Sequence, residues 1–173
     1  VARLEPLITE QEIQDKVAEL ARQIAADYGD RPVLLVGVLK GSFLFLSDLA
    51  RQLGDRVEVD FVQVSSYGDE TSSSGVVRIT KDLDISIEGR DVLLVEDILD
   101  SGLTLCHLRE LLATRHPRSL RVVTLLRKPG AQRFGAQAEY VGFDIPESFV
   151  VGYGLDHAQR YRNLPYIAVL HEV

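Results

Sequence analysis

Two uninterrupted apolar runs constrain this chain more than any other feature: Pro32 to Leu39 (PVLLVGVL) and Val92 to Val95 (VLLV), both rich in Val and Leu. A strand whose every residue is apolar has no face to offer water, so it belongs in a parallel sheet covered by helices on both sides. Neighbouring segments can supply those helices. Thr9 and Glu12 form a capping box, after which Ile13, Val17, Leu20, Ala21 and Ile24 recur at helical spacing until Gly29. A Lys40-Gly41-Ser42 turn leads from the first run into a second helix through Leu53, and a third is expected from about Gly102 to Arg115. Val57 to Ser66 alternates as a strand does. Val76 to Ile79, Val122 to Leu126, Tyr140 to Phe143, Phe149 to Gly152 and Tyr166 to Leu170 are further short β candidates. Strands alternating with helices imply an α/β fold with a central parallel sheet and right-handed crossovers, to which the strand-rich C-terminal part adds a small subdomain.

A chain of 173 residues, 46% of them apolar, suffices for one domain with a proper core. The formal net charge of −7 disfavours nucleic acid and anionic membrane as partners, which leaves a small ligand as the expected one. No apolar run approaches the roughly 20 residues that span a bilayer, and Val1 to Pro6 lacks the apolar stretch of an export signal. Cys106, the single cysteine, lies in an apolar run and is expected to be buried; with no intrachain disulfide, the chain fits a reducing, cytoplasmic setting. Tyr67 to Gly75 (YGDETSSSG) is almost free of apolar side chains and is expected to be a mobile loop.

In open α/β sheets ligands bind beyond the carboxyl ends of the strands, which directs attention to the residues after Val95: Glu96-Asp97-Ile98-Leu99-Asp100-Ser101-Gly102-Leu103-Thr104. Three carboxylates within five residues repel one another unless a cation, a donor-rich ligand or solvent compensates them. Ser101 to Thr104 then open a helix whose free N–H groups, dipole and hydroxyls can hold a phosphate, and Gly102 permits a twist and a close approach. Any one of these residues could serve merely as a helix cap or a solvated loop acid. Capping does not account for two acids set at the end of a buried strand.

Four apolar residues, Glu-Asp, two apolar residues, Asp-Ser-Gly, any residue and Thr: this string resembles the signature of the type I phosphoribosyltransferases, which bind 5-phosphoribosyl 1-pyrophosphate. The resemblance implies their parallel sheet flanked by helices, in one domain with a core at about 30–140, a base-binding hood from about 1–10 and 141–173, and a flexible active-site loop that begins at Ser66 and Tyr67. It implies that Glu96 and Asp97 hold the ribose hydroxyls and Mg²⁺, that Asp100 to Thr104 wrap the 5′-phosphate, and that Asp100 meets purine N7 as the catalytic proton acceptor. Several relatives have Lys or Arg where this chain has Leu103, a departure that still leaves the backbone N–H for phosphate. Phe149 to Asp156 (FVVGYGLD) resembles the base-binding segment of the hypoxanthine-guanine branch, which implies stacking on Phe149, recognition of the base edge by Val150, and a second Mg²⁺ at Asp156. Taken alone, Phe149 reads as a core residue.

Lys128 matches the lysine that donates to the purine O6; Arg127 is the competing assignment, and spacing to Phe149 favours Lys128. Lys40 and Gly41 resemble the pyrophosphate loop, whose Leu-Lys peptide is often cis in relatives, and Arg162 matches a second pyrophosphate contact. The implied reaction joins a 6-oxopurine base to the phosphoribosyl group, with Mg²⁺ as cofactor, in a homodimer or homotetramer. Two rivals remain open. A receiver-like module also gathers acids around Mg²⁺ at strand ends, but leaves Ser101 to Thr104, Lys128 and Phe149 without a role. A nucleotide-sensing RNA regulator needs a basic surface, against which the net charge argues.

Overall fold

The structure, a computed structural model, describes residues 2–67 and 76–172. The elements are β1 (Arg3–Ile8), α1 (Glu10–Tyr28), β2 (Val33–Leu39), α2 (Phe43–Leu53), β3 (Val57–Tyr67), β4 (Val76–Lys81), β5 (Asp91–Leu99), α3 (Leu103–Ala113), β6 (Ser119–Arg127), β7 (Tyr140–Asp144), β8 (Val150–Val151) and β9 (Ile167–His171). The stretch expected to be a mobile loop lies, beyond Tyr67, outside the described residues; Ser66 and Tyr67 form the end of β3.

The two apolar runs lie side by side at the centre of a six-stranded sheet ordered β4-β3-β2-β5-β6-β7. β2 and β5 pair in parallel from Leu34 opposite Val92 to Gly37 opposite Val95, and only β4 runs antiparallel to its neighbour. Alternate side chains feed two separate cores. Leu35, Leu93 and Val95 pack with Ile13, Val17, Leu20 and Ile24 of α1 and Phe45 and Leu49 of α2, whereas Leu34, Val36, Val92 and Leu94 pack with Leu105, Leu108 and Leu112 of α3. Burying each such side chain contributes about 1.5–3 kcal/mol, so both faces of the central pair are committed.

A second, antiparallel sheet ordered β1-β9-β8 stands apart from the first. β1 is the element that sequence reading missed. Its RLEPLI carries two charges and a proline and leaves only Ile8 buried, so nothing local marks it as a strand. Its ladder comes from Ile167 to His171, at the far end of the chain. Other boundaries shift modestly. β5 continues through Leu99, which makes Glu96 and Asp97 strand residues rather than loop acids. α3 ends at Ala113, where the Thr114 hydroxyl donates to the Leu111 carbonyl at 2.6 Å. Cys106, expected to be buried, is half-buried with its Sγ 3.3 Å from the Phe134 carbonyl, because it packs at the margin of the core that Leu105 and Leu108 enter fully. Among the described residues no helix is long and apolar enough to cross a membrane.

The capping box is formed in both directions, Glu12 N–H donating to Thr9 Oγ1 at 3.1 Å and Thr9 N–H to Glu12 Oε1 at 3.0 Å. Thr9 sits where β1 hands over to α1, far from the acidic string in sequence. Thr9→Ala is expected to cost about 1 kcal/mol, a fall in Tm of roughly 2–4 °C at this chain length, measured by calorimetry. An unchanged Tm would show that the box does not stabilise α1.

Candidate active site

The site grows from the carboxyl end of β5. Glu96 is only 7% exposed and lies opposite Thr124 of β6. Burial, and then the charge of Asp97, push its carboxyl well above the usual range. Burial also raises Asp97, to about 6, although the N–H groups of Ile98 and of Asp97 itself pull it down. More distant charges act on Asp97 too, with Arg162 lowering its pKa and Asp156 raising it. A chain segment some sixty residues away therefore faces this carboxylate.

Two glycines allow that approach. A Cβ on Gly41 would stand 1.8 Å from Asp97 Oδ2, and one on Gly154, where φ is +99°, would stand 2.2 Å from the Gly41 carbonyl oxygen. The loop after β2, the end of β5 and the turn after β8 thus touch backbone to carboxylate and backbone to backbone. The Leu39-Lys40 peptide at the start of that loop is cis.

Beside this contact lies a polar cluster organised by Gln159, which sequence reading missed. Lys40 Nζ donates to Gln159 Oε1 at 3.3 Å, and Arg162 donates to the same oxygen at 3.0 Å. Arg162 also donates to the Gly154 carbonyl at 2.7 Å and pairs with Asp156 Oδ1 at 3.4 Å, while Gln159 N–H donates to Asp156 Oδ2 at 2.8 Å. Ala158 and Gln159 both have positive φ, in a two-residue turn closed by reciprocal 3.0 Å bonds between His157 and Arg160. Such turns are usually announced by Asn-Gly or Asp-Gly, and His-Ala-Gln-Arg carries no such signal.

On the other side, residues Glu96 to Leu105 line a cleft of about 200 Å³. Gly102 adopts φ +90° at the head of α3, and Leu103 N–H faces Ser101 Oγ at 3.4 Å. The Leu103 side chain is buried, so this position offers the cleft its backbone alone. Thr104 follows in the first turn of the helix. Asp100 is paired with Lys128, Nζ to Oδ2 3.2 Å, and the lysine side chain is only 12% exposed. Arg127, the competing cation, is held by Asp144 at 2.6 and 3.0 Å, which leaves Lys128 as the cation beside Asp100. Val150 is buried, but Phe149 is 52% exposed and is no core residue. β8 is two residues long and begins only after Phe149, whose carbonyl accepts from Leu170 N–H at 2.9 Å and whose ring stays at the surface.

Among the described residues no three His, Cys, Asp or Glu side chains are gathered into a metal cage. Mg²⁺ commonly binds through one or two carboxylates and takes its other ligands from water and phosphate. Glu96, buried, and Asp97, half-buried and sensing the charge of Asp156, offer the one or two carboxylates that kind of cation takes and not a complete protein cage.

The sequence matches the phosphoribosyl transferase domain along residues 7–158. The chain belongs to the phosphoribosyl transferase family. It is 54% identical over 164 residues to the hypoxanthine-guanine phosphoribosyltransferase of Bacillus subtilis (strain 168), covering 95% of this chain and 91% of that one. It is also 54% identical over 172 residues to the enzyme of the same name from Dictyostelium discoideum, covering 97% and 96%. The crystal structure of a hypoxanthine-guanine phosphoribosyltransferase from Bacillus anthracis superimposes with a TM-score of 0.93 at 43% identity, covering 99% of this chain and 100% of that one. The fold is thus that of this family, with its parallel sheet flanked by helices.

A chain that buries a carboxylate beside another without a compensating ligand loses stability. An acid whose folded pKa is raised holds its proton more tightly when folded, so its contribution is fully present below the unfolded value, 4.5 for Glu96, and is lost as pH rises through the folded value. Glu96→Gln removes the charge and is expected to raise the Tm of the ligand-free, metal-free protein at pH 8 by roughly 2–4 °C, about 1 kcal/mol, with the gain shrinking towards pH 5. A lower Tm at pH 8 would show that the charge is compensated within the fold.

Proposed function

We propose that this chain is a purine-salvage hypoxanthine-guanine phosphoribosyltransferase, converting hypoxanthine or guanine and 5-phosphoribosyl 1-pyrophosphate to IMP or GMP and pyrophosphate. The observation that carries the choice of base is the Lys128–Asp100 pair at the cleft. An ammonium has donors only and a carboxylate acceptors only, so side by side they suit a purine edge with a carbonyl at position 6 and a proton at N7. Adenine presents an amino group at position 6 and leaves the lysine unmatched.

In this reading purine N9 attacks ribose C1′ as the bond to pyrophosphate breaks, and the N7 proton passes to Asp100. Glu96 and Asp97 hold the ribose hydroxyls, the N–H groups and hydroxyls from Ser101 to Thr104 hold the 5′-phosphate, and Phe149 and the Val150 backbone hold the base. Lys40, the Gly41 backbone and Arg162 take the departing pyrophosphate, a role supported by their convergence on Gln159. Mg²⁺, for which Asp97, Glu96 and Asp156 are the expected ligands, would offset the leaving group's charge. Ser66 and Tyr67 lead into the segment that shields the reaction from water. A cytoplasmic homodimer or homotetramer completes the proposal.

A panel of five bases with the phosphoribosyl donor and Mg²⁺ tests the choice of substrate: hypoxanthine and guanine are expected to yield nucleotide and adenine to yield next to none. Lys128→Ala is expected to raise the KM for hypoxanthine by roughly 10–100-fold, the worth of one charge-assisted hydrogen bond. Equal use of adenine by the parent enzyme would remove Lys128 as the reader of position 6. Metal dependence has a readout without turnover. Pyrophosphate and Mg²⁺ together, at a hundred times their joint dissociation constant, are expected to raise Tm by about 5–10 °C, and Asp156→Asn to remove most of that gain. Equal shifts with and without Mg²⁺ would leave the cation no part in binding.

A further inference from the structure

An aromatic ring left at the surface is a useful stacking platform only if its orientation is already fixed, since an unfixed ring must lose rotational freedom each time a ligand binds. The Phe149 ring is half exposed and meets the His157 ring, with centroids 5.5 Å apart and planes at 88°, an edge-to-face arrangement. His157 is itself held on two sides. Its backbone N–H and carbonyl both bond to Arg160 at 3.0 Å, closing the tight turn, and its Nε2 lies 3.1 Å from Glu172 Oε1, beyond the end of β9. Leu170 bonds to the Phe149 carbonyl, and Phe149, His157, Leu170 and Glu172 together line a surface cleft of about 290 Å³. The same turn carries Gln159, on which Lys40 and Arg162 converge.

We propose that His157 is a positioning residue for the base, acting by holding the Phe149 ring from the tight turn that also carries Gln159. This rests on the assignment of Phe149 as the purine platform. It makes a specific demand on kinetics. Loss of the His157 ring weakens capture of the base and leaves the bond-making step alone, because the contacts of the His157 side chain are with Phe149 and Glu172 and not with Asp100, Lys128, Lys40 or Arg162.

His157 lies on an exposed turn, so its replacement is compatible with folding, which an unchanged Tm verifies. His157→Ala is expected to raise the KM for hypoxanthine roughly three- to tenfold, the range spanned by aromatic edge-to-face pairs. Both kcat and the KM for 5-phosphoribosyl 1-pyrophosphate should stay within about twofold of the parent, the usual spread for a change outside the chemistry. His157→Phe restores a ring without the Glu172 pair and is expected to return the KM for hypoxanthine to within about twofold. The proposal is overturned if His157→Ala leaves that KM unchanged, if kcat or the donor KM moves in step with it, or if His157→Phe is no better than His157→Ala. Phe149→Ala in the same series separates the two levels. Should it leave the KM for hypoxanthine unchanged, the platform assignment fails and the role of His157 with it; should it raise that KM while His157→Ala does not, only the role of His157 fails.

Discussion

The parallel pairing of β2 with β5 is the constraint on which the rest of this protein depends. The pair is apolar on both faces, so helices must cover it from both sides, and its register is locked by two separate cores. Continued two residues past Gly37 and Val95, that register brings Leu39 level with Asp97. The loop after β2 and the acids ending β5 therefore emerge together, and the contact between Gly41 and Asp97 follows from the sheet. A one-residue slip would turn every side chain of one strand to the wrong core and separate the loop from the acids at the same time.

That convergence has a cost, borne locally. Glu96 is buried beside Asp97, and desolvation dominates the rise in both pKa values. Arg162 supplies part of the compensation, yet it also bonds to Gly154, Gln159 and Asp156, so its charge is shared. In the proposed function, the charge left over is what a cation and the ribose hydroxyls complete. The glycines serve the same end: Gly41 and Gly154 let backbone lie directly on carboxylate and on backbone, where a methyl group would prise the elements apart.

What the sequence discloses is governed by range. Helices and central strands are specified by local periodicity, and the acidic string, being contiguous, is as legible as they are. β1 is not, because its ladder lies at the other end of the chain and its own residues are mostly exposed. Gln159 is not, because its importance comes from a turn whose geometry is imposed by the chain around it and not by Asn or Gly. Phe149 shows a third kind of failure. An isolated phenylalanine is ordinarily core, and its exposure here goes with the brevity of β8, which begins only after it. Lys128 is set apart from Arg127 in the sequence by its spacing to Phe149 alone; the physical reason, that Asp144 already holds the arginine, is long-range and not legible there.

In the proposed function, the pairing of Lys128 with Asp100 determines how a base is chosen. A pair with one half-exposed partner contributes little to stability, of order 1 kcal/mol or less, so it is an inexpensive contact to open. It still keeps a donor and an acceptor within 3.2 Å of each other, and the nearly buried lysine is spared an unpaired charge while the cleft is empty. A purine with a position-6 carbonyl and an N7 proton replaces each partner in kind, acceptor for lysine and donor for aspartate. A 6-amino purine can still donate to the aspartate but offers the lysine no acceptor and strands a nearly buried ammonium, which is worth far more in discrimination than the pair is worth in stability. Selectivity on this scheme comes from the penalty imposed on the wrong base, and the pair sets that penalty before any base arrives.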